Sequence, residues 1–395
     1  MSQSYDAGNF DAGNFDAGNL SRVAGGDNLD RPVHGGIKPN ELRGLGLNPE
    51  EVLDFSASVS PTGQPTGLFE ALSRADLSAY PDPYCLELKE VLAKYLSSGS
   101  ASNIVPEQIL VGNGSTELIH LIARSMLIEN HMDCGPSVLI FAPTYSEYQG
   151  ACRLMGAAIH EFCADRNQRL KWNISKACDQ IRNTPELRLV FLCNPNNPTG
   201  VYLDAESVTE IASACSSVQA LLIIDEAYLN FVDDPWNSLE VLALENIILL
   251  RSMTKDYGLT GLRLGYSLAS PSITTKLRTF QPDWSVNTLA QIAGKVALND
   301  GEYLANAKMV VNAAKEYLQT TLGSMGFFIY PSTANFLLID CGDGSKWHNY
   351  LMRKGLFVRD CASFGLPECI RIGIRTMADC EKLVKAIASV EENNL

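Results

Sequence analysis

Four short apolar runs constrain this chain more than any other feature. "SVLIFAP" (137–143), "LRLVFLCNP" (187–195), "ALLIIDEAY" (220–228) and "NIILLRS" (246–252) each end in polar or turn-forming residues. A strand with one face in water alternates apolar and polar residues, whereas runs this continuous belong to strands covered on both faces. Amphipathic stretches of helical length lie between them. In "DAESVTEIASACSSV" (204–218), Ala205, Val208, Ile211, Ala212 and Cys215 fall on one face. Strand and helix in alternation predict an α/β fold, a mostly parallel sheet with helices on both sides. Open sheets of this kind take their ligands at the carboxyl ends of the strands.

The pattern changes towards the C-terminus. "FFIYPSTANFLLID" (327–340) and "ECIRIGIR" (368–375) alternate like half-exposed strands, and "MADCEKLVKAIASVEE" (377–392) reads as a closing helix. We expect a large domain over 76–295, a smaller α+β domain over 296–395, and an irregular segment 31–75 that joins the smaller one. Residues 6–20 are three near-identical pentads, "DAGNFDAGNFDAGNL", part of a low-complexity tail expected to be disordered over 1–30.

Composition narrows the function. A chain of 395 residues with 46% hydrophobic content has ample material for such a core. No apolar run is long enough to span a membrane, and no basic-then-apolar N-terminal segment marks a signal peptide. The eleven cysteines form no C-x-x-C pair and the five histidines show no ligand spacing. That argues against a disulfide framework or a metal site and for a reducing cytoplasm. A net charge of −14 argues against nucleic acid or an anionic membrane as partner. A small anion remains possible wherever arginines cluster.

Polar groups gather where the runs end. "VGNGSTELIHLIAR" (111–124) opens a helix with Gly114, Ser115 and Thr116, a place for a phosphate or simply an N-cap. "APTYSEY" (142–148) places Tyr145 after a strand, where its ring can cover a flat ligand. "NPNNPTG" (194–200) is a rigid rim from which Asn197 can donate, or a turn that caps the strand. Asp225 ends a very apolar strand, where an acid needs a cationic partner, a protonated ring nitrogen or a core arginine. Tyr228 follows three residues on. "RSMTKDYGLTGLRLGY" (251–266) offers the hydroxyl of Ser252, the amine of Lys255 and the guanidinium of Arg263. On its own, Lys255 reads either as a surface lysine or as an amine placed for chemistry.

The order G-N-G-S-T-E, A-P-T-Y, N-P-N-N-P-T-G, D-E-A-Y, S-x-x-K and R-L-G-Y resembles the class I/II aminotransferase superfamily, fold type I of the pyridoxal-phosphate enzymes, over about 34–390. The resemblance implies pyridoxal 5'-phosphate attached to Lys255, with its ring nitrogen held by Asp225 and its ring oxygen by Asn197 and Tyr228. It implies a cofactor phosphate bound by Ser115, Thr116, Ser252 and Arg263. Tyr80 in "AYPDPY" (79–84) matches a tyrosine that reaches the partner subunit's cofactor, which implies a homodimer with shared sites. "PVHGG" (32–36), "DFSASVSP" (54–61), "PDWSVNTLAQIAG" (282–294) and "FVRDCASF" (357–364) are similar to the threonine-phosphate decarboxylase family, whose close relatives are the histidinol-phosphate aminotransferases. That likeness implies a phosphorylated amino acid as substrate, its phosphate on His34, Gly35 and Arg359 and its carboxylate on Asn197 and Arg371. Ser58 stands where the decarboxylases often carry asparagine, which leaves phosphothreonine, phosphoserine or another substrate open. A non-catalytic regulator on this fold would carry an N-terminal DNA-binding domain, and thirty residues without basic character are too few for one.

Overall fold

The computed structural model describes residues 35–37, 42–44, 46–98, 102–128 and 135–390. His34 and the pentad tail lie outside them. In chain order the strands are β1 (Leu53–Asp54), β2 (Ile109–Gly112), β3 (Ser137–Ala142), β4 (Ala158–Cys163), β5 (Leu187–Cys193), β6 (Leu221–Asp225), β7 (Ile247–Ser252), β8 (Gly265–Leu268), β9 (Phe328–Ile329), β10 (Phe336–Asp340), β11 (Leu356–Phe357), β12 (Arg359–Asp360) and β13 (Cys369–Gly373).

The fold is α/β. Seven strands form the central sheet in the order β2-β8-β7-β6-β5-β3-β4. Neighbours from β7 to β4 pair in parallel, and β8 runs antiparallel to both β2 and β7. The continuous apolar runs arise because each face has its own core. On β5, Val190 and Leu192 pack on one side, and Leu189, Phe191 and Cys193 on the other. The helix Ala205–Ser217 is capped by Asp204, whose side chain accepts from the Ser207 N–H at 2.9 Å. It buries Val208, Ile211, Ala212, Ala214 and Cys215. Ala205, expected on that face, is exposed: it sits in the first turn at the rim of a groove shared with the helix Ile174–Asn183.

A second, antiparallel sheet runs β12-β13-β10-β9, and β1 pairs in parallel with β11. Of the expected half-exposed strands only β9 is one, with Phe328 exposed and Ile329 half-buried; β10 and β13 are not. Every residue of β13 is buried, as is all of β10 except Asp340. Leu337, Ile339, Ile370 and Ile372 pack against side chains of the helices Tyr303–Ser324 and Met377–Ala388. Leu338 and Cys369 join the core of the central sheet. The alternation was real, but protein rather than water covers the second face. Among the described residues no helix is long and apolar enough to cross a membrane.

Candidate active site

The sheet order brings the polar strand ends to one edge. The carboxyl ends of β2, β3, β5, β6 and β7 and the start of the antiparallel β8 converge there. A single cavity at that edge is lined from the central sheet by Ser115, Thr116, Tyr145, Asn197, Asp225, Tyr228, Ser252, Lys255 and Arg263. From the other side it is lined by Gly35, Ser56, Arg359 and Arg371.

Lys255 sits in the turn after β7, half-buried, its carbonyl accepting from the Ser60 N–H at 2.7 Å. Burial, then the charges of Arg371 and Arg263, push its amine down from 10.5 to about 8. Asp225 ends β6 and is 3% exposed. The Tyr148 hydroxyl donates to its Oδ2 at 2.8 Å and the Ala227 N–H to its Oδ1 at 3.0 Å. Burial nevertheless raises it to about 6. A cation facing this carboxylate would hold it ionised.

Two glycines build an anion cradle. The helix Gly114–Leu127 begins where β2 ends. Gly114 has φ +75°, and a Cβ there would come 2.5 Å from Arg263 Nη2. A Cβ on Gly265 would come 2.8 Å from the Ser115 nitrogen. Without those carbons, a guanidinium and the first N–H groups of a helix approach the same space, with the helix dipole adding positive potential. Ser252 Oγ lies 2.7 Å from Thr254 Oγ1 beside them.

Opposite the lysine, Arg359 on β12 pairs directly with Arg371 on β13. They are 9% and 5% exposed. Arg371 donates through Nη1 to Asn197 Oδ1 and through Nη2 to the Ser56 carbonyl at 2.7 Å, while its Nε has no partner among the described residues. Ser56 is held in turn by Asp54, donating to Oδ1 at 2.6 Å, and it accepts from the Gly36 N–H at 2.8 Å. A Cβ on Gly35 would sit 2.5 Å from the Ser56 carbonyl oxygen, so only glycine fits there. Arg359 donates from Nη2 to Ser363 Oγ at 2.8 Å and lies 5.5 Å from the centre of the Phe364 ring. Like charges directly opposite in a sheet repel. Burial and Arg371 accordingly lower the pKa of Arg359.

Not every residue singled out from sequence lines the cavity. Ser58 is 1% exposed, its hydroxyl has no hydrogen-bond partner among the described residues, and it does not line the cavity. Gly114 meets the cradle through Arg263. Tyr80 is 80% exposed and stacks on Trp284 with ring centroids 4.6 Å apart. His34 lies outside the described residues. Sequence reasoning missed Tyr148, Cys193, Ser56, Thr254 and Phe364, which also line the cavity. Each falls within or beside a segment quoted above; Cys193 is the last residue of its apolar run and the register partner of Asp225.

Comparison with known proteins decides what this arrangement is. The profile of "Aminotransferase class I and II" matches residues 50–387.

The chain belongs to the class I and II aminotransferase family.

Its cofactor is pyridoxal 5'-phosphate. The chain is 33% identical over 373 residues to the adenosylcobalamin biosynthesis bifunctional protein CobDQ of Leptospira interrogans, covering 92% of this chain but 41% of that longer protein. It is 32% identical to the threonine-phosphate decarboxylase of Salmonella typhimurium, over 92% of this chain and 97% of that one. It is 31% identical to the histidinol-phosphate aminotransferase of Moorella thermoacetica, over 89% of each. Among solved structures, histidinol-phosphate aminotransferase from Sinorhizobium meliloti in complex with pyridoxal 5'-phosphate superposes with a TM-score of 0.78 at 23% identity, covering 94% of this chain and 100% of that one. The donor set fits the family's cofactor: a depressed amine, a buried carboxylate that needs a cation, and a cradle shaped for phosphate.

Proposed function

We propose that this chain decarboxylates an O-phospho-amino acid, with O-phospho-L-threonine as the substrate and (R)-1-aminopropan-2-ol phosphate as the product. The observation that carries this reading is the buried cross-strand pair Arg359 and Arg371. Two cations held at one wall call for two anionic groups, and a phospho-amino acid brings a phosphate and a carboxylate together. Histidinol phosphate carries only the phosphate, while the 2-oxoglutarate of its transamination carries two carboxylates, so the pair favours decarboxylation only as far as the amino substrate is concerned. Relatives of both names match at similar identity, so aminotransfer is the reading to test against.

Bound pyridoxal 5'-phosphate supplies a sink for the electron pair left at the substrate's α-carbon. In this reading Lys255 would hold the cofactor through its amine and would be the group that returns a proton to the substrate. An amine near 8 is neutral in a usable fraction at physiological pH. Asp225, oriented by Tyr148, would keep a proton on the ring nitrogen. Asn197 and Tyr228 would take the ring oxygen, and Tyr145 would offer its ring face. Ser115, Thr116, Ser252 and Arg263 would hold the cofactor phosphate. Arg371, with Asn197, holds the carboxylate, and Arg359, Gly35 and His34 hold the substrate phosphate.

The test is carbon dioxide release from O-phospho-L-threonine and O-phospho-L-serine, set beside 2-oxoglutarate-dependent transamination of histidinol phosphate. Arg359→Ala should retain cofactor and lose tens- to thousands-fold in kcat/KM for the phosphorylated substrate, since breaking a desolvated charge pair costs about 2–5 kcal/mol. Transamination without carbon dioxide release would overturn the decarboxylase reading and leave the family assignment intact.

A further inference from the structure

Among the described residues, β4 is the one parallel strand of the central sheet whose carboxyl end gives no residue to the cavity lining. It leads instead into the turn Arg166–Gln168. Asp165 fixes this turn: its side chain accepts from the Asn167 N–H at 2.8 Å, and its own N–H donates to the Lys171 carbonyl at 2.9 Å. From there Arg166 reaches the segment between β12 and β13. Its Nη1 lies 3.0 Å from Glu368 Oε1, and its Nη2 donates to the Gly365 carbonyl. That segment carries Ser363, which accepts from Arg359, and Phe364, which lies against the Arg359 guanidinium and lines the cavity.

Phe364 packs against the core of the central sheet and also borders open space. A second hollow, lined by Tyr145, Arg166, Phe364 and Gly365 among others, lies beside the first, and Tyr145 and Phe364 line both. The turn therefore has room to sink away from the cavity, and Arg166 spans it at two points. We propose that Arg166 is a positioning residue, a latch that ties the 361–368 turn to the rim of the central sheet and so sets Arg359 and Phe364 for the substrate's anionic group. This rests on reading Arg359 as an anion ligand. The guanidinium fork is what allows one side chain to hold a carboxylate and a carbonyl together, and a lysine has no such fork.

The experiment compares Arg166→Ala, Arg166→Lys and the swap Arg166→Glu/Glu368→Arg with the wild-type holoenzyme. It reads KM and kcat for whichever of O-phospho-L-threonine and histidinol phosphate is turned over, the visible absorbance of bound cofactor, and calorimetric affinity for inorganic phosphate. For a partly exposed pair, Arg166→Ala should raise KM and weaken phosphate binding roughly three- to tenfold, with kcat and absorbance within about twofold. Arg166→Lys should fall between, and the swap should recover part of the loss. Unchanged phosphate affinity and KM in Arg166→Ala would overturn the latch, as would a fall in kcat that tracks loss of cofactor. If neither substrate is turned over but phosphate binding still depends on Arg166, the proposed reaction fails and the latch stands. If Arg359→Ala binds phosphate as the wild type does, the anion-ligand reading fails and the latch falls with it.

Discussion

Asp225 is a residue the apoprotein would be more stable without. Its pKa is 3.8 when exposed to water and about 6 in the fold, because burial outweighs the hydrogen bonds from Tyr148 and Ala227. Between those values the native state binds more proton than the unfolded state. Apoprotein stability should therefore fall as pH rises from about 4 to about 6, and the deficit persists above. A shift of about two pH units corresponds to something on the order of 3 kcal/mol. Lys255 works in a separate window: its depressed amine leaves stability rising with pH only between about 8 and 10.5. Asp225→Asn should make the apoprotein more stable than wild type at pH 7 and equal to it near pH 4, read by urea denaturation across that range. With cofactor present the same variant should lose on the order of 10²-fold or more in turnover, as a lost electrostatic partner typically does. A stability gap that does not change with pH would show that Asp225 is paired without the cofactor. The need for a cation here was legible in sequence, as an acid closing an apolar run. Tyr148 was not, because its contact with Asp225 depends on β3, β5 and β6 lying side by side in the sheet.

At the scale of elements, the phosphate cradle is a prediction about backbone proximity. A Cβ on Gly265 would meet the Ser115 nitrogen at 2.8 Å and the Arg251 carbonyl oxygen at 2.9 Å. Both are main-chain atoms, one at a helix start and one in β7, so neither can swing aside as a side chain would. Gly265→Ala should push the start of the helix Gly114–Leu127 away from β8 and weaken cofactor retention by tenfold or more, measured as loss of the bound chromophore on dialysis. Retention equal to wild type would mean the helix terminus is not what holds the phosphate. Four of the five strands that pair in parallel, β3, β5, β6 and β7, were legible because a doubly covered strand writes a continuous apolar run; β4, exposed or half-buried throughout, writes none. The burial of β10 and β13 was not, since alternation reports which residues share a face and says nothing of what lies beyond the second face. The arginines of "FVRDC" and "IRIGIR" could be named from sequence. Their direct opposition could not, because the register of β12 against β13 is set by the turn between them, including the Ser363 and Phe364 contacts with Arg359.

At the scale of the whole molecule, one surface asks for a partner. Phe69, Leu77, Tyr80, Tyr84 and Leu86 are 57–80% exposed within eighteen residues of sequence, and Trp284, 49% exposed, stacks on Tyr80. Single exposed apolar residues need no explanation, but a run of large ones joined by an aromatic stack marks an interaction surface. We propose that a second copy of the chain covers it and that Tyr80 completes the partner's cofactor-phosphate site. If so, Tyr80→Phe weakens every site, and Lys255→Ala chains have no active site of their own. A mixed dimer contains one site with Lys255 from the first chain and Tyr80 from the second, complete in both groups. Co-refolding the two variants should then raise activity above the Tyr80→Phe parent at equal Lys255 concentration, by up to the factor that Tyr80→Phe removes. That factor is roughly ten- to a hundredfold for a hydrogen bond to a charged group. Mixing without subunit exchange is the matched control and should give no gain. Activity that stays at the Tyr80→Phe level after exchange, with mixed dimers verified by mass spectrometry, would place Tyr80 in its own subunit's surface and remove the shared site.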